Sequence, residues 1–196
     1  MEIFINDKGR FANWAYASCE KGEALVLAME DINEGKRVYI ACNYRGVDCT
    51  SAIAEMLRGS KLDPVKVLEI SSNTINTPEV IAAMADPNKT WGKHQAVVVS
   101  PSIQSGVSYS GTDFDNIYGI FGNRTNASGD AAQMLYRVRH PKNKRVVVEV
   151  VQNNNNIGSG YPSSIFRGLE LRSQHQRADS LKKMIEYELD RRGSRQ

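Results

Sequence analysis

The chain lacks the glycine-rich loops with which most nucleotide-binding proteins hold phosphate. Its 196 residues contain no GxxxxGK(S/T) stretch and no GxGxxG after the first predicted strand. No Asp-x-x-His or Asp-Glu pair stands at a predicted strand end, where such a pair would suit magnesium. Asp113 and Asp115, on either side of Phe114, are more typical of a turn than of a metal site. The sequence therefore excludes the usual phosphate cradle.

Residues that carry metal, redox or nucleophilic chemistry are few. The chain has three histidines and three cysteines, and the cysteines (Cys19, Cys42 and Cys49) have no metal-like pairing. An odd number of cysteines is typical of reduced thiols in the cytoplasm. The histidines are scattered among predicted loops and a charged helix, so we assign them no metal or catalytic role. Ser105 lacks the G-x-S-x-G frame of a nucleophile elbow.

Long apolar runs and a strong net charge are also missing. No run approaches the roughly 20 residues that span a bilayer, and the N-terminus has no signal-peptide pattern. The net charge of +3 argues neither for nor against a polyanionic partner. Residues 137–145, however, contain five basic side chains and no acidic one. We expect a soluble, cytoplasmic protein without membrane contact.

What the sequence does have is an alternation of apolar runs and helical patterns. Near-continuous apolarity predicts strands covered on both faces, at residues 37–42, 65–70, 95–100, 116–121 and 145–151. Apolar residues at helical spacing, with capping residues, predict helices at 23–33, from 50 or 51 to 59, at 77–84, from 128 or 130 onwards, and at about 174–192. This alternation predicts an α/β fold with a mainly parallel sheet.

Polar residues follow three of the predicted strands. They are the stretches Asn43 to Arg45, Ser71 to Thr74 and Ser100 to Ser108. Ligands of open α/β sheets bind beyond the carboxyl ends of the strands, and hydroxyl, amide and backbone N–H donors there suit the phosphates of a nucleic-acid backbone. The alternative is ordinary turn chemistry, because turns favour the same residue types.

The segment Gln133-Met-Leu-Tyr-Arg137-Val-Arg139 places a glutamine and two arginines on a predicted helix. Gln133 and Arg137 are four residues apart, so on a helix they share one face. An amide beside a guanidinium suits a polyanion, and an arginine that assists phosphoryl transfer is sometimes supplied from outside the nucleotide-binding domain. The alternative is a surface helix with its arginines in water.

In their order along the chain, these stretches resemble motifs of superfamily 2 helicases. Ser100-Pro-Ser-Ile-Gln-Ser-Gly106-Val is similar to helicase motif V. The strand Phe114-Asp-Asn-Ile-Tyr-Gly-Ile-Phe121 followed by Gln133 to Arg139 is similar to motif VI. The resemblance covers residues 22–152 and is to the second RecA-like domain, in the form found in herpesvirus-type replication origin-binding helicases and related viral, phage and plasmid proteins.

The resemblance implies an α/β, RecA-like three-layer domain at 22–152, with 1–21 a linker or a remnant of an upstream domain. Residues 153–196 would be a loop and a C-terminal helical extension. It also implies roles for single residues: Arg137 and Arg139 as catalytic arginines, Gly106, Ser108 and Gln133 at the nucleotide, and Asn43, Ser71, Ser100 and Ser102 on the nucleic-acid backbone. Two departures are Tyr136, where the family usually has glycine, and Arg139-His140 in place of a Gly-Arg pair.

The expected function is that of the C-terminal motor domain of an ATP-dependent DNA helicase in replication initiation, in host cytoplasm or nucleus if viral. ATP and Mg would be bound mainly by a first RecA-like domain, in the same full-length protein or in another chain. The isolated chain, expected to be a fragment, would then be inactive, with single-stranded DNA as its other partner. Two alternatives remain: a non-catalytic nucleic-acid-binding or scaffold domain, and an unrelated small-molecule α/β enzyme.

Overall fold

A computed structural model describes residues 2–6, 14–43, 49–59, 66–103, 106–122 and 128–151. These residues contain seven strands: β1 (Glu2–Asn6), β2 (Trp14–Cys19), β3 (Val38–Cys42), β4 (Val67–Ile70), β5 (Ala96–Val99), β6 (Asn116–Gly122) and β7 (Arg145–Val151). The strands form one sheet in the order β1-β2-β7-β6-β3-β5-β4. Every neighbouring pair is parallel except β1 and β2, which are antiparallel.

The five predicted strands are confirmed as β3 to β7. Strands β3, β5 and β6 are buried along their whole length, as their continuous apolarity predicts. Two further strands, β1 and β2, lie within residues 1–21, where the sequence analysis expects a linker or a remnant. Ala15 to Cys19 pair in register with Arg145 to Glu149, so this segment belongs to the same sheet.

Within the described residues five α-helices connect the strands: α1 (Glu23–Asn33), α2 (Cys49–Arg58), α3 (Pro78–Ala85), α4 (Pro87–Thr90) and α5 (Ser128–Leu135). The predicted helices up to residue 135 are confirmed. At α3 the Thr77 hydroxyl accepts a hydrogen bond from the Val80 N–H at 3.4 Å, and Pro78 occupies the first turn, where no N–H is needed. The predicted helix at 174–192 lies outside the described residues.

The helices cover both faces of the sheet and so make three layers. On one face α1 and α2 pack aliphatic side chains, among them Ile32 and Leu57, against the sheet. On the other face α3 and α5 lie over a core rich in aromatic rings, including Tyr39 and Trp91. The predicted α/β class, with three layers and a mainly parallel sheet, is confirmed over the described residues. The C-terminal extension falls outside them.

Candidate functional site

The segment after α5 differs from its prediction. The helix ends at Leu135, so Gln133 lies in its last turn and Arg137 lies beyond its end. The prediction that these two side chains share a helical face is therefore wrong. The reason is a tertiary pairing: the Tyr109 N–H donates to the Arg137 carbonyl at 2.7 Å, and the Arg139 N–H donates to the Tyr109 carbonyl at 2.9 Å. A short parallel bridge of Tyr109 with Val138 replaces the next helical turn.

The guanidinium of Arg137 reaches the stretch that follows β5. One terminal nitrogen donates to the Val107 carbonyl at 2.7 Å and the other donates to the Ile103 carbonyl at 3.4 Å. The sequence separations are 30 and 34 residues. Carbonyls have no net charge, so these two bonds orient the guanidinium without neutralising it. The arginine segment and the loop after β5 thus form one connected structure, the clasp of Arg137 on Ile103 and Val107.

An aromatic cluster, consisting of Tyr39, Trp91, Tyr109 and Phe114, supports this clasp through the backbone of Tyr109. The Trp91 ring stacks between Tyr39 and Tyr109, with ring centroids 5.8 Å and 6.1 Å away. Phe114 meets Tyr39 and Tyr109 edge to face. All four residues are fully or nearly fully buried. The cluster therefore fixes Tyr109, whose backbone in turn holds Arg137 and Arg139.

Two tyrosine hydroxyls fix the end of α5 on the same face. The Tyr39 hydroxyl donates to the Met134 carbonyl at 2.8 Å, which satisfies a carbonyl in the last helical turn. The Tyr136 hydroxyl bonds to the Tyr16 hydroxyl at 2.9 Å, and the Tyr136 ring lies 5.5 Å from that of Trp14. Tyr136, where the resembling family usually has glycine, thus fills a pocket made by β2.

Close packing of α5 on the sheet depends on Gly119. A Cβ at this position would lie 2.5 Å from the Phe121 ring and 2.9 Å from a Leu135 methyl. Only a residue without a side chain lets the helix approach the strand this closely. The glycine of the Phe114–Phe121 strand therefore sets the distance between β6 and the segment that carries Gln133 and Arg137.

Of the residues predicted to lie at a nucleotide, Gly106 and Ser108 flank Val107, whose carbonyl accepts from Arg137. Gly106 has a φ of +93° and is exposed, with no atom within 4 Å of where a Cβ would stand. Ser108 is partly buried and Gln133 is exposed. Arg137 and Arg139 are each partly buried. The role of these five residues at a nucleotide stays a prediction.

The residues predicted to touch a nucleic-acid backbone lie at the carboxyl ends of adjacent strands. Ser100 follows β5, the strand between β3 and β4, and its N–H donates to the Ile70 carbonyl at 2.9 Å. The Ser100 hydroxyl accepts from the Ser102 N–H at 3.3 Å, and both residues are partly buried. Their hydroxyl protons are not used by this bond.

Asn43 and Ser71, from the same predicted set, are more deeply placed at 4% exposure each. The Asn43 side-chain oxygen accepts from the Gly122 N–H at 2.8 Å and so joins the ends of β3 and β6. The Ser71 hydroxyl donates to the buried Glu69 carboxylate at 2.8 Å. Since a hydroxyl has one proton, Ser71 in this conformation has none left for a phosphate.

Within the described ranges, no group of three or more His, Cys, Asp or Glu side chains is arranged to hold a metal ion. None of the helices that the structure describes is long and apolar enough to cross a membrane.

Comparisons with known proteins give a consistent but distant set of relatives. No protein-family model matches the chain. Over 118 residues the chain is 29% identical to proteins of African swine fever virus isolates from Namibia and South Africa, provisionally named helicase/primase complex protein. The match covers 59% of this chain and 11% of the relatives, so the chain spans about a tenth of their length.

Solved structures of the DEAD-box helicase Mss116p are similar at 12% identity. Domain 2 of Mss116p bound to an RNA duplex has a TM-score of 0.46, with 71% of this chain and 54% of that chain covered. A second Mss116p structure, with single-stranded RNA and AMP-PNP, has a TM-score of 0.45 and covers 71% of this chain and 27% of that chain.

Proposed function

We propose that this chain is the C-terminal motor domain of an ATP-dependent DNA helicase that acts in replication initiation. The observation that carries the proposal is the clasp, because it joins the arginine segment to the loop after β5 in one structure. Similarity over 118 residues to proteins named helicase/primase complex protein supports the same function. The more specific link to herpesvirus-type origin-binding helicases rests on the sequence motifs alone.

In this proposal Arg137 meets the γ-phosphate and Arg139 is the second arginine. Developing charge in phosphoryl transfer is stabilised mainly by positioned cations and N–H donors, and the carbonyls of Val107 and Ile103 orient the guanidinium of Arg137. Gly106, Ser108 and Gln133 would complete the nucleotide contacts. When bound, ATP and Mg would supply the transferable phosphoryl group and its charge neutralisation.

The remaining parts of the motor would come from elsewhere. This chain has no GxxxxGK(S/T), so a first RecA-like domain, in the same full-length protein or another chain, would bind most of the nucleotide. Single-stranded DNA would lie on the carboxyl edge of the sheet. There Ser100 and Ser102 are accessible for direct contacts, and the buried Asn43 and Ser71 would position the loops that follow them.

The test is ATP hydrolysis by the full-length protein, or by the complex with its first RecA-like domain. Arg137→Ala should lower turnover by roughly a thousandfold or more, while nucleotide binding is retained, because the arginine acts on the transition state. Asp130→Ala, an exposed change on α5 outside the proposed contacts, is the control and should have a much smaller effect.

Two results would overturn the proposal in different ways. Unchanged turnover in Arg137→Ala would remove this residue from catalysis. A wild-type assembly that binds single-stranded DNA in a salt-dependent manner but never hydrolyses ATP would instead establish the alternative, a non-catalytic nucleic-acid-binding or scaffold domain.

A further inference from the structure

Strand β2 directs two aromatic side chains toward the segment that carries Arg137. Trp14 and Tyr16 are two residues apart, so on a strand they face the same side of the sheet, and both lie in the aromatic core. Their common neighbour is Tyr136, which directly precedes Arg137 in the chain. We propose that Tyr16, acting through Tyr136, is a positioning residue for Arg137. The catalytic consequence of this positioning rests on the proposed function.

The contact between the two tyrosines is direct and lies away from solvent. The Tyr136 hydroxyl donates to the Tyr16 hydroxyl at 2.9 Å. Tyr136 is 2% exposed and Tyr16 is 6% exposed. Burial raises the pKa of Tyr16 above its usual range, which keeps this hydroxyl neutral. Breaking the bond would leave a buried hydroxyl without its partner, so the bond holds the Tyr136 ring against β2.

Tyr136 is the residue at which the chain leaves α5. Its N–H donates to the Ala132 carbonyl at 3.0 Å, four residues back, which is the spacing of an α-helix. The next N–H, that of Arg137, donates to the Met134 carbonyl at 3.4 Å, only three residues back. The Arg137 carbonyl then accepts from Tyr109. A ring held at Tyr136 therefore fixes the point from which Arg137 is directed away from the helix.

Strand β2 can provide this support because it is part of the sheet. Ala15 to Cys19 pair in register with Arg145 to Glu149, and β7 pairs in turn with β6. The place of the Tyr16 ring is thus set by the sheet and not by the helix that the ring supports. The superfamily 2 helicases that this segment resembles usually have glycine where Tyr136 stands. Glycine has no side chain for a neighbouring strand to hold, so the proposed support depends on the tyrosine.

A shift in this support has a defined kinetic signature. Misplacing a catalytic group by about 1 Å can lower turnover roughly a hundredfold. Arg137 would act in the transition state, so misdirecting its guanidinium should lower kcat without raising KM for ATP. A residue that only stabilised the fold would lower the melting temperature and leave the kcat of the folded protein unchanged.

The kinetic test uses ATP hydrolysis by the full-length protein, or by the complex with its first RecA-like domain. Tyr16→Phe removes the hydroxyl and keeps the ring, and kcat should fall roughly tenfold with KM nearly unchanged. Tyr118→Phe is the matched control. Tyr118 is 1% exposed, and its hydroxyl donates to Asp31 at 2.6 Å on the aliphatic face. This control should lower thermal stability and leave kcat unchanged.

Two kinetic results would overturn the proposal. One is a Tyr16→Phe assembly that is less stable than the wild type but keeps its kcat. The other comes from a double-mutant cycle with Tyr136→Phe. Since both single variants remove the same bond, the double variant should be no slower than either one. Losses that multiply would show that the two hydroxyls act separately.

The positioning itself is tested on the chain alone by NMR, without ATP. The guanidinium N–H signals of Arg137 should shift in Tyr16→Phe and stay unchanged in Tyr118→Phe. Unshifted signals in Tyr16→Phe, or equal shifts in both variants, would overturn the positioning role. An assembly that never hydrolyses ATP would overturn the proposed function instead, and the Arg137 signals would still decide whether Tyr16 positions this side chain.

Discussion

The two faces of the sheet are built from different chemistry. Beneath α1 and α2 the core consists mostly of small and branched aliphatic side chains, among them Ala28, Ile32 and Leu57. Beneath α3 and α5 it contains eight buried aromatic residues, namely Trp14, Tyr16, Tyr39, Trp91, Tyr109, Phe114, Phe121 and Tyr136. Both faces are closed to water, but only the second supports the candidate site.

The two faces differ in how strongly their buried side chains fix the position of the backbone. Aliphatic packing is non-directional and tolerates substitutions that conserve volume. Aromatic residues with polar tips add directional bonds, such as Tyr39 to the Met134 carbonyl and the Trp91 indole N–H to the Ala83 carbonyl at 3.0 Å. A face of this kind holds backbone segments at defined positions, which a site made from two distant loops requires.

The strongest test of this contrast removes one large side chain from each face. Trp91→Ala should destabilise the fold by about 3–5 kcal/mol and Leu57→Ala by about 2–5 kcal/mol, as both side chains are fully buried. Only Trp91→Ala should also accelerate hydrogen exchange at the Tyr109 and Arg139 amides, which bond across the bridge. Equal exchange in the two variants, measured where both remain folded, would remove the special role of the aromatic face.

A second test uses adjacent residues of β6 that face opposite sides. Gly119→Ala inserts a methyl group against Phe121 and Leu135, and overpacking of this kind costs about 1–3 kcal/mol. Ile120→Val, directed to the aliphatic core, should cost about 0.5–1.5 kcal/mol. In Gly119→Ala the α5 amides should also shift in NMR spectra. If α5 does not respond, Gly119 does not set the helix position.

The smallest expected effect is a pH dependence of the stability, which Asp31 contributes on the aliphatic face. Asp31, at 6% exposure, accepts hydrogen bonds from the Tyr118 hydroxyl at 2.6 Å, from Lys36 at 2.9 Å and from the Asn116 amide. Burial by itself would raise the pKa of Asp31, but these bonds and the lysine charge lower it overall. A lowered folded-state pKa contributes stability above the unfolded value of about 3.9, which is lost as pH falls through the folded value.

Asp31→Asn should therefore flatten the loss of thermal stability between roughly pH 5 and pH 2. Tyr39, on the aromatic face, is expected to give a pH dependence of stability with the opposite sign. Burial raises the pKa of Tyr39, with the charge of Arg137 lowering it by less. Its contribution is present below an unfolded pKa of about 10 and is lost as pH rises above it. An Asp31→Asn protein with wild-type acid sensitivity would show that other carboxylates dominate.

Local patterns in the sequence were sufficient for most of the architecture. Continuous apolar runs predict β3 to β7, and the Thr77-Pro78 pair predicts the start of α3, because these signals depend on near neighbours alone. Strand β2 was missed since only Trp14, Tyr16 and Ala17 of its six residues are buried and it resembles no long apolar run. Its pairing partner, β7, lies more than 120 residues away along the chain.

The candidate site was predictable as a set of residues but not as an arrangement. The motifs identify Gly106, Ser108, Gln133, Arg137 and Arg139, and their predicted roles remain predictions. No local pattern indicates that Tyr109, which no motif includes, holds the two arginines by its backbone. Nor does any local pattern indicate that the Ser71 hydroxyl donates its hydrogen bond to the Glu69 carboxylate.

The sequence by itself determined where β3 to β7 and the helices between them form and which polar residues follow these strands, because periodicity and capping act within a few residues. Only the tertiary structure decided that α5 stops at Leu135 and that Arg137 turns to the carbonyls of Ile103 and Val107. Those bonds join residues at least 30 positions apart, and the Tyr16–Tyr136 contact joins residues 120 apart. Contacts at such separations form only when the whole sheet is assembled, since the sheet is what brings their partners together.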